Sequence, residues 1–180
     1  MLFRSLILSW VRFPLHGGPG CATINAMSER LQRSLRGQDL RRVDLSAIRL
    51  VGVDLREADL REMDLSGFDF AGSDLRGARL DGAQLRGAIL RDCELGGTSL
   101  EGADLGAADL RRSDGFGLQA AWARLEEARL DGAEWRRAHL RGATLDRLRG
   151  AGVRLDHADM TGATLRECWL PHVVLDDANL

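Results

Sequence analysis

The sequence predicts an all-β solenoid, a chain coiled into a four-sided column, and three features of its spacing carry that prediction. Leucine occupies 24 of the 30 residue numbers divisible by five between Leu35 and Leu180; the others are Phe70, Gly115, Ala120, Trp135, Gly150 and Met160. Two residues before each of these central positions the side chain is small or apolar, with Ala at 14 of 29 places. Two residues after it Gly recurs, as at Gly67, Gly72, Gly77, Gly82, Gly87, Gly97 and Gly102.

Neither common element buries a period of five. On a helix, every fifth residue is carried round by about 140°, so the leucines would scatter over all sides. On a strand, an odd step sends successive leucines to opposite faces. A chain that turns a corner every five residues buries them all, because each short side points one residue at a shared axis. Four corners then close a coil of 20 residues, and coils stack through backbone hydrogen bonds. The small position supplies a second inward side chain of modest volume. The glycine position marks the turn, where positive φ is wanted. The remaining two positions hold nearly all the charge and form the outside.

The runs Ala58-Asp-Leu-Arg-Glu, Ala78-Arg-Leu-Asp-Gly, Ala103-Asp-Leu-Gly-Ala and Ala128-Arg-Leu-Asp-Gly resemble the A(D/N)LXX signature of pentapeptide-repeat proteins. The resemblance covers about residues 35 to 180, with no slip of phase over 29 pentads. It implies that family's right-handed quadrilateral β-helix, here of about seven coils and, at roughly 4.8 Å per coil, about 35 Å long. Family members often dimerise end to end through a C-terminal, usually helical, segment. Some bind DNA gyrase or topoisomerase IV as mimics of duplex DNA and protect them from quinolone-type inhibitors.

Residues 1–34 fall outside the repeat. Residues 1–26 read as a leader or disordered extension ahead of a start at Met27, and 27–34 as an N-terminal cap in which Ser28 caps a short helical turn. The run Leu6-Ile-Leu-Ser-Trp-Val is short for a signal peptide and is broken by Arg12 and Pro14. Gly18-Pro19-Gly20 argues against a lipoprotein site at Cys21. No stretch reaches the roughly 20 apolar residues that span a bilayer, so no membrane is expected. Leu180 is itself a central position, and an open coil exposes core and unpaired edge. That end is therefore expected to self-associate, as a homodimer through the C-terminal end, or to belong to a longer chain.

Composition narrows the function. All 25 basic residues are Arg, a usage expected of a GC-rich bacterial genome. Residues 35–180 carry 26 Asp plus Glu against 21 Arg, a net of −5, which disfavours direct binding to nucleic acid. Three cysteines in no paired pattern suit a reducing compartment, so the cytoplasm is expected. Cys93 and Cys168 read as buried thiols, and His16, His139, His157 and His172 are scattered. Asp156-His157 reads as a solvated corner. With no phosphate loop and no zinc spacing, no catalytic residue, metal or cofactor is expected, and the chain is read as a non-enzyme.

Two surface features remain. Steps of 20 residues align Asp54, Asp74, Glu94, Asp114 and Glu134 as a carboxylate column beside Arg36, Arg56 and Arg76. It reads either as an acidic stripe or as an ion-pair ladder, with the part from Glu94 to Glu134 lacking Arg partners. The second is the lapse at Gly115 and Ala120, where Phe116 and Trp122 fall at outward positions. Either the coil bulges and Phe116 or Leu118 swings inward, or the two rings are exposed as anchors for a partner. Trp169, near Pro171, Val173 and Val174, is a third apolar candidate. The function expected first is a protein-binding scaffold. The alternative is the gyrase or topoisomerase IV mimic, for which Glu94, Asp114 and Glu134 would be the contact residues.

Overall fold

A computed structural model describes residues 34–46 and 48–180. The expectations placed on residues 1–33, including the leader, the Ser28 cap and Cys21, lie outside the described residues. Those described wind into a right-handed quadrilateral β-helix. Every bridge is parallel and joins residues 20 apart, from Ser34↔Asp54 to Asp159↔Asn179. Four ladders define four sides. The first runs from Ser34 through Asp114 to Val174, and the second from Asp39 through Gln119 to Asn179. The third runs from Asp64 to Thr164 and the fourth from Asp69 to Trp169.

The pentad has this sequence pattern because of where its five backbone N–H groups go. Around Leu75, the Leu75 N–H donates to Glu94 O at 2.8 Å and the Gly77 N–H to Gly96 O at 3.1 Å, both in the next coil. Asp74 N–H reaches back to Val53 O at 3.0 Å, and Ala78 N–H closes the corner on Leu75 O at 2.9 Å. The fifth donor, Arg76 N–H, has no backbone acceptor and is taken by Asp74 Oδ1 at 3.2 Å. The same closure, in which an Asp before the central residue accepts from the N–H two residues on, recurs at 11 corners. At Ala151 and Arg166 the acceptor is instead an Asp one coil earlier, Asp131 and Asp146.

The corner also sets the backbone twist. From Gly52 to Asp177 every residue two past a central position is left-handed, with φ between 54° and 72°. Glycine adopts this freely, whereas another residue loses about 1 kcal/mol or more.

Inside, the central leucines from Leu40 to Leu155 are at most 3% exposed, each contributing about 1.5–3 kcal/mol by burial. Polar side chains at the small inward position are satisfied by carbonyls: Ser73 Oγ donates to Leu50 O, Thr98 Oγ1 to Leu75 O and Cys93 Sγ to Phe70 O, each 23 residues back, and Ser113 Oγ to Leu110 O of its own corner. The last coil has no described coil beneath it, so Leu175 and Leu180 are 37% and 71% exposed.

The lapse at Gly115 and Ala120 causes no bulge. The register holds through Asp114↔Glu134 and Gln119↔His139. Gly115 makes room for Trp135 of the next coil, since a Cβ at 115 would lie 2.6 Å from Trp135 Cδ1. Trp135 is 1% exposed, and its Nε1 donates to Ser113 Oγ at 2.9 Å. At Ala120 the volume is supplied by Leu118, which fills the usually small position, and at Gly150 the space is taken by Val153, whose Cγ2 would lie 2.6 Å from a Cβ there. Leu118 therefore points inward, as one sequence reading held, while Phe116 does not.

Gly115→Leu alone should clash with Trp135, and Trp135→Leu alone should open a cavity costing about 2–4 kcal/mol. The double variant restores a leucine column and should recover most of that loss, a coupling readable by denaturant unfolding. The corner carboxylates give a second expectation. Hydrogen bonds from Arg side chains, or from the Ser46 and Ser66 side chains at Asp44 and Asp64, and then from the N–H two residues on, hold Asp44, Asp59, Asp64, Asp74 and Asp109 below the ordinary carboxylate range and Asp54 at about 2. Because the folded values are depressed, the stabilisation is complete above the unfolded value near 4 and is lost as pH falls through the folded ones. Thermal stability should therefore hold level to about pH 5 and drop between about 4 and 2.

Candidate interaction surface

The acidic column is real as geometry but is not a bare stripe. Asp54 pairs with Arg56 at 2.8 Å and Asp74 with Arg76 at 2.5 Å. Arg56 also reaches down to Asp74 at 3.5 Å, which ties adjacent coils together. On the neighbouring second side Asp39, Arg41, Asp59 and Arg61 repeat this zipper. The expectation that Glu94 to Glu134 lack partners is corrected at Glu134, which pairs with Arg136. Asp114 spends one oxygen on the Phe116 N–H at 3.1 Å. Glu94 is exposed and lies close enough to Arg76 to help hold that guanidinium charged.

Phe116 and Trp122 are 52% and 66% exposed. Phe116 stands at the corner entering the second side and Trp122 at the corner leaving it, with half-buried Gln119 between them. Arg137 of the next coil lies over the Phe116 ring, 5.8 Å from its centroid. Trp122 lies along the column towards Gly142, where a Cβ would collide with its ring carbons. Residues 115–123 contain no charged side chain, nor do 95–100 directly before them in the column, although 29% of the chain is charged. The structure thus joins Phe116, Gln119 and Trp122 with Ser99 into one uncharged patch, edged by Glu94 and Asp114 on one flank.

Trp169 is 60% exposed but lies on the fourth side, opposite that patch. It closes a shallow groove with Arg129, Arg149, Arg147 and the carboxylates Glu127, Asp131 and Glu167. Arg147 pairs with Glu127 at 3.1 Å and Arg129 approaches Asp131 at 3.8 Å, so the groove is of mixed charge.

The remaining chemistry is sparse. Burial pushes the Cys93 thiol up to about 12, and Cys168 is raised for the same reason. Asp156 is not on a solvated corner: it is 7% exposed and bonded to Arg154, while His157 sits 3.5 Å from Asp177. Among the described residues no group of three His, Cys, Asp or Glu side chains is placed to hold a metal ion. Nor is any helix among them long and apolar enough to cross a membrane.

The family model for pentapeptide repeats matches in eight copies, over residues 54–92 and 121–162. The coil geometry continues without a break between those segments. The chain belongs to the pentapeptide-repeat family. The stretch between the matches, 93–120, keeps the coil geometry and the runs Ala103-Asp-Leu and Ala108-Asp-Leu, loses the central leucine at Gly115 and Ala120, and holds most of the uncharged patch. No curated protein matches the chain. Among solved structures it is similar to QnrB1, a plasmid-mediated fluoroquinolone resistance protein, at 19% identity over 82% of this chain and 88% of that one, with a TM-score of 0.43. HetL of Nostoc sp. strain PCC 7120, involved in heterocyst differentiation regulation, is 28% identical over 83% of each chain, with a TM-score of 0.31. A pentapeptide-repeat protein of the Arabidopsis thaliana thylakoid lumen is 30% identical over 59% of this chain and 70% of that one, with a TM-score of 0.32.

The missed signal in the sequence was the Asp of the repeat. An Asp immediately before the central residue is the natural acceptor for the N–H two residues on, so much of what reads as surface charge is corner-closing structure. Cys93 should stay unreactive to a thiol reagent at pH 8 until the coil unfolds, and labelling at the rate of a free thiol would contradict its burial.

Proposed function

We propose that this pentapeptide-repeat protein is a non-enzymatic scaffold that binds a protein partner through the uncharged patch midway along its second side, with Phe116 and Trp122 as anchors. The observation that carries the reading is the coincidence of two exposed rings with the longest uncharged run of the repeat. Aromatic side chains dominate the centres of protein interfaces, and charge is depleted there. Trp122 also holds a left-handed φ of 61° that glycine would adopt at less cost. The coil itself does not call for a ring at that corner. The unpaired cysteines suit a reducing compartment, and we place the protein in the cytoplasm.

The alternative, imitation of duplex DNA towards gyrase or topoisomerase IV, draws on the carboxylate column. It has less support, because Asp54, Asp74 and Glu134 are engaged by Arg and Asp114 by a backbone N–H.

A photo-crosslinking residue at Gln119, compared with one at Ile89 on the opposite side, tests the reading in the cells that make the protein. Protein adducts are expected from 119 and not from 89. They should be lost in Trp122→Gly, whose own stability should be unchanged or higher by about 1 kcal/mol as the strain is relieved. Equal adducts from both positions, or none from 119, would remove the proposal. Inhibition of gyrase supercoiling, or protection from a quinolone, at micromolar protein would favour the alternative instead.

A further inference from the structure

The second side has a pattern of charge that no single chain uses. Its ladder reads Arg79, Ser99, Gln119, His139 and Asp159, one residue per coil. At the corner beyond it stand Glu101, Ala121 and Arg141, again one per coil. In a molecule rich in ion pairs, Arg79, Glu101 and Arg141 have no side-chain hydrogen bond or ion pair among the described residues, and all three are exposed. Asp159 accepts from the N–H and hydroxyl of Thr161, at 3.1 and 2.6 Å, and feels the nearby charges of Arg141 and His139 without an ion-pair contact among the described residues.

The pattern becomes complementary when the rod is turned end for end about Gln119. The ladder then sets Arg79 opposite Asp159, Ser99 opposite His139 and Gln119 opposite itself. The corner sets Glu101 opposite Arg141. Each of these pairs occurs twice by symmetry. Across the five coils between Arg76 and Gly162, no like charges on this side or its two corners fall opposite each other. The other two-fold arrangement, with the rods parallel, would oppose Arg79 to Arg79 and Asp159 to Asp159, so charge selects the antiparallel one.

The rings fit the same operation. Trp122 leans one coil on, over Gly142. In the reversed copy that level is occupied by Gly102, where nothing lies within 4 Å of the missing Cβ. The open glycines Gly102 and Gly162 leave room for the ring of another chain, while Gly142 is covered by the chain's own Trp122.

We infer that the occupant of the uncharged side is a second copy of this chain, packed antiparallel about a two-fold axis at Gln119. The inference rests on the reading of this side as a protein-binding surface and names its partner. One side of a narrow rod over five coils is at the small end of specific interfaces, so the dimer forms at micromolar concentration.

Sedimentation velocity of the full chain across the micromolar range should show a monomer–dimer equilibrium. Glu101→Arg and Arg141→Glu, each placing like charges opposite each other twice, should weaken it about tenfold or more. The double reversal should restore it, which a folding defect would not do. Gln119→Cys should oxidise readily to a disulfide-linked dimer, whereas Ile89→Cys should not. A chain that stays monomeric overturns the inference, as does a dimer indifferent to the reversals. The crosslinker at Gln119 separates this inference from the reading beneath it. Adducts of twice the chain mass support the second copy; adducts only with other proteins overturn it while the protein-binding surface stands; no adducts remove both.

Discussion

The structure depends on one constraint: the backbone must find a partner in the next coil at an offset of 20 residues, every coil, with a corner every five. That offset satisfies three N–H groups in each pentad, a turn within the corner satisfies a fourth, and the first corner N–H is left without a backbone acceptor. The carboxylate just before the central residue closes the gap. Side chains that look like surface decoration therefore complete the backbone. The same corner makes the following residue left-handed, which is why glycine is so frequent there.

Around that frame the core is permissive in identity and strict in volume. Trp135, Phe70 and Met160 each stand in for a leucine, and each is about 1% exposed or less. Where the central residue shrinks, the volume returns from a nearby inward neighbour: Leu118 beside Ala120, Val153 beside Gly150, Trp135 beneath Gly115. Close packing requires such exchanges, since an unfilled leucine-sized void in a column one side chain deep has nothing able to collapse into it. The exchange at Gly115 also leaves Phe116 outside, so the lapse in the core and the exposed ring have a common origin.

The surface divides along the rod. Towards the N-terminal end the first and second sides carry Arg–Asp zippers in which a guanidinium bonds its own coil's carboxylate and, at Arg41 and Arg56, touches the next. Single pairs of this kind contribute little at a surface, but here each carboxylate also closes a corner. Midway along, the zippers stop and the uncharged patch begins. Of the charges that flank the patch on its own side, Arg79, Glu101 and Arg141 have no side-chain hydrogen bond or ion pair among the described residues. A surface so regular elsewhere makes this interruption the place where an outside contact is expected.

The five-residue period, the inward leucine and alanine positions and the glycine corner were all legible in the sequence, because each is a spacing and a β-helix turns spacing directly into place. The 20-residue step was legible too, and it correctly aligned Asp54 to Glu134. What each side chain bonds was not. Asp114 and Glu134 are identical in the periodic pattern, yet one caps an N–H and the other holds Arg136. Asp156 reads as a solvated corner and is buried, bonded to Arg154 two residues before it and 4.0 Å from Arg136 one coil earlier. The sequence by itself determined the coil, because period and hydrogen-bond offset are local and repeat. Only the tertiary structure decided which charges are spent and which are left over, because each side chain chooses between a partner two residues along the pentad and one a coil away.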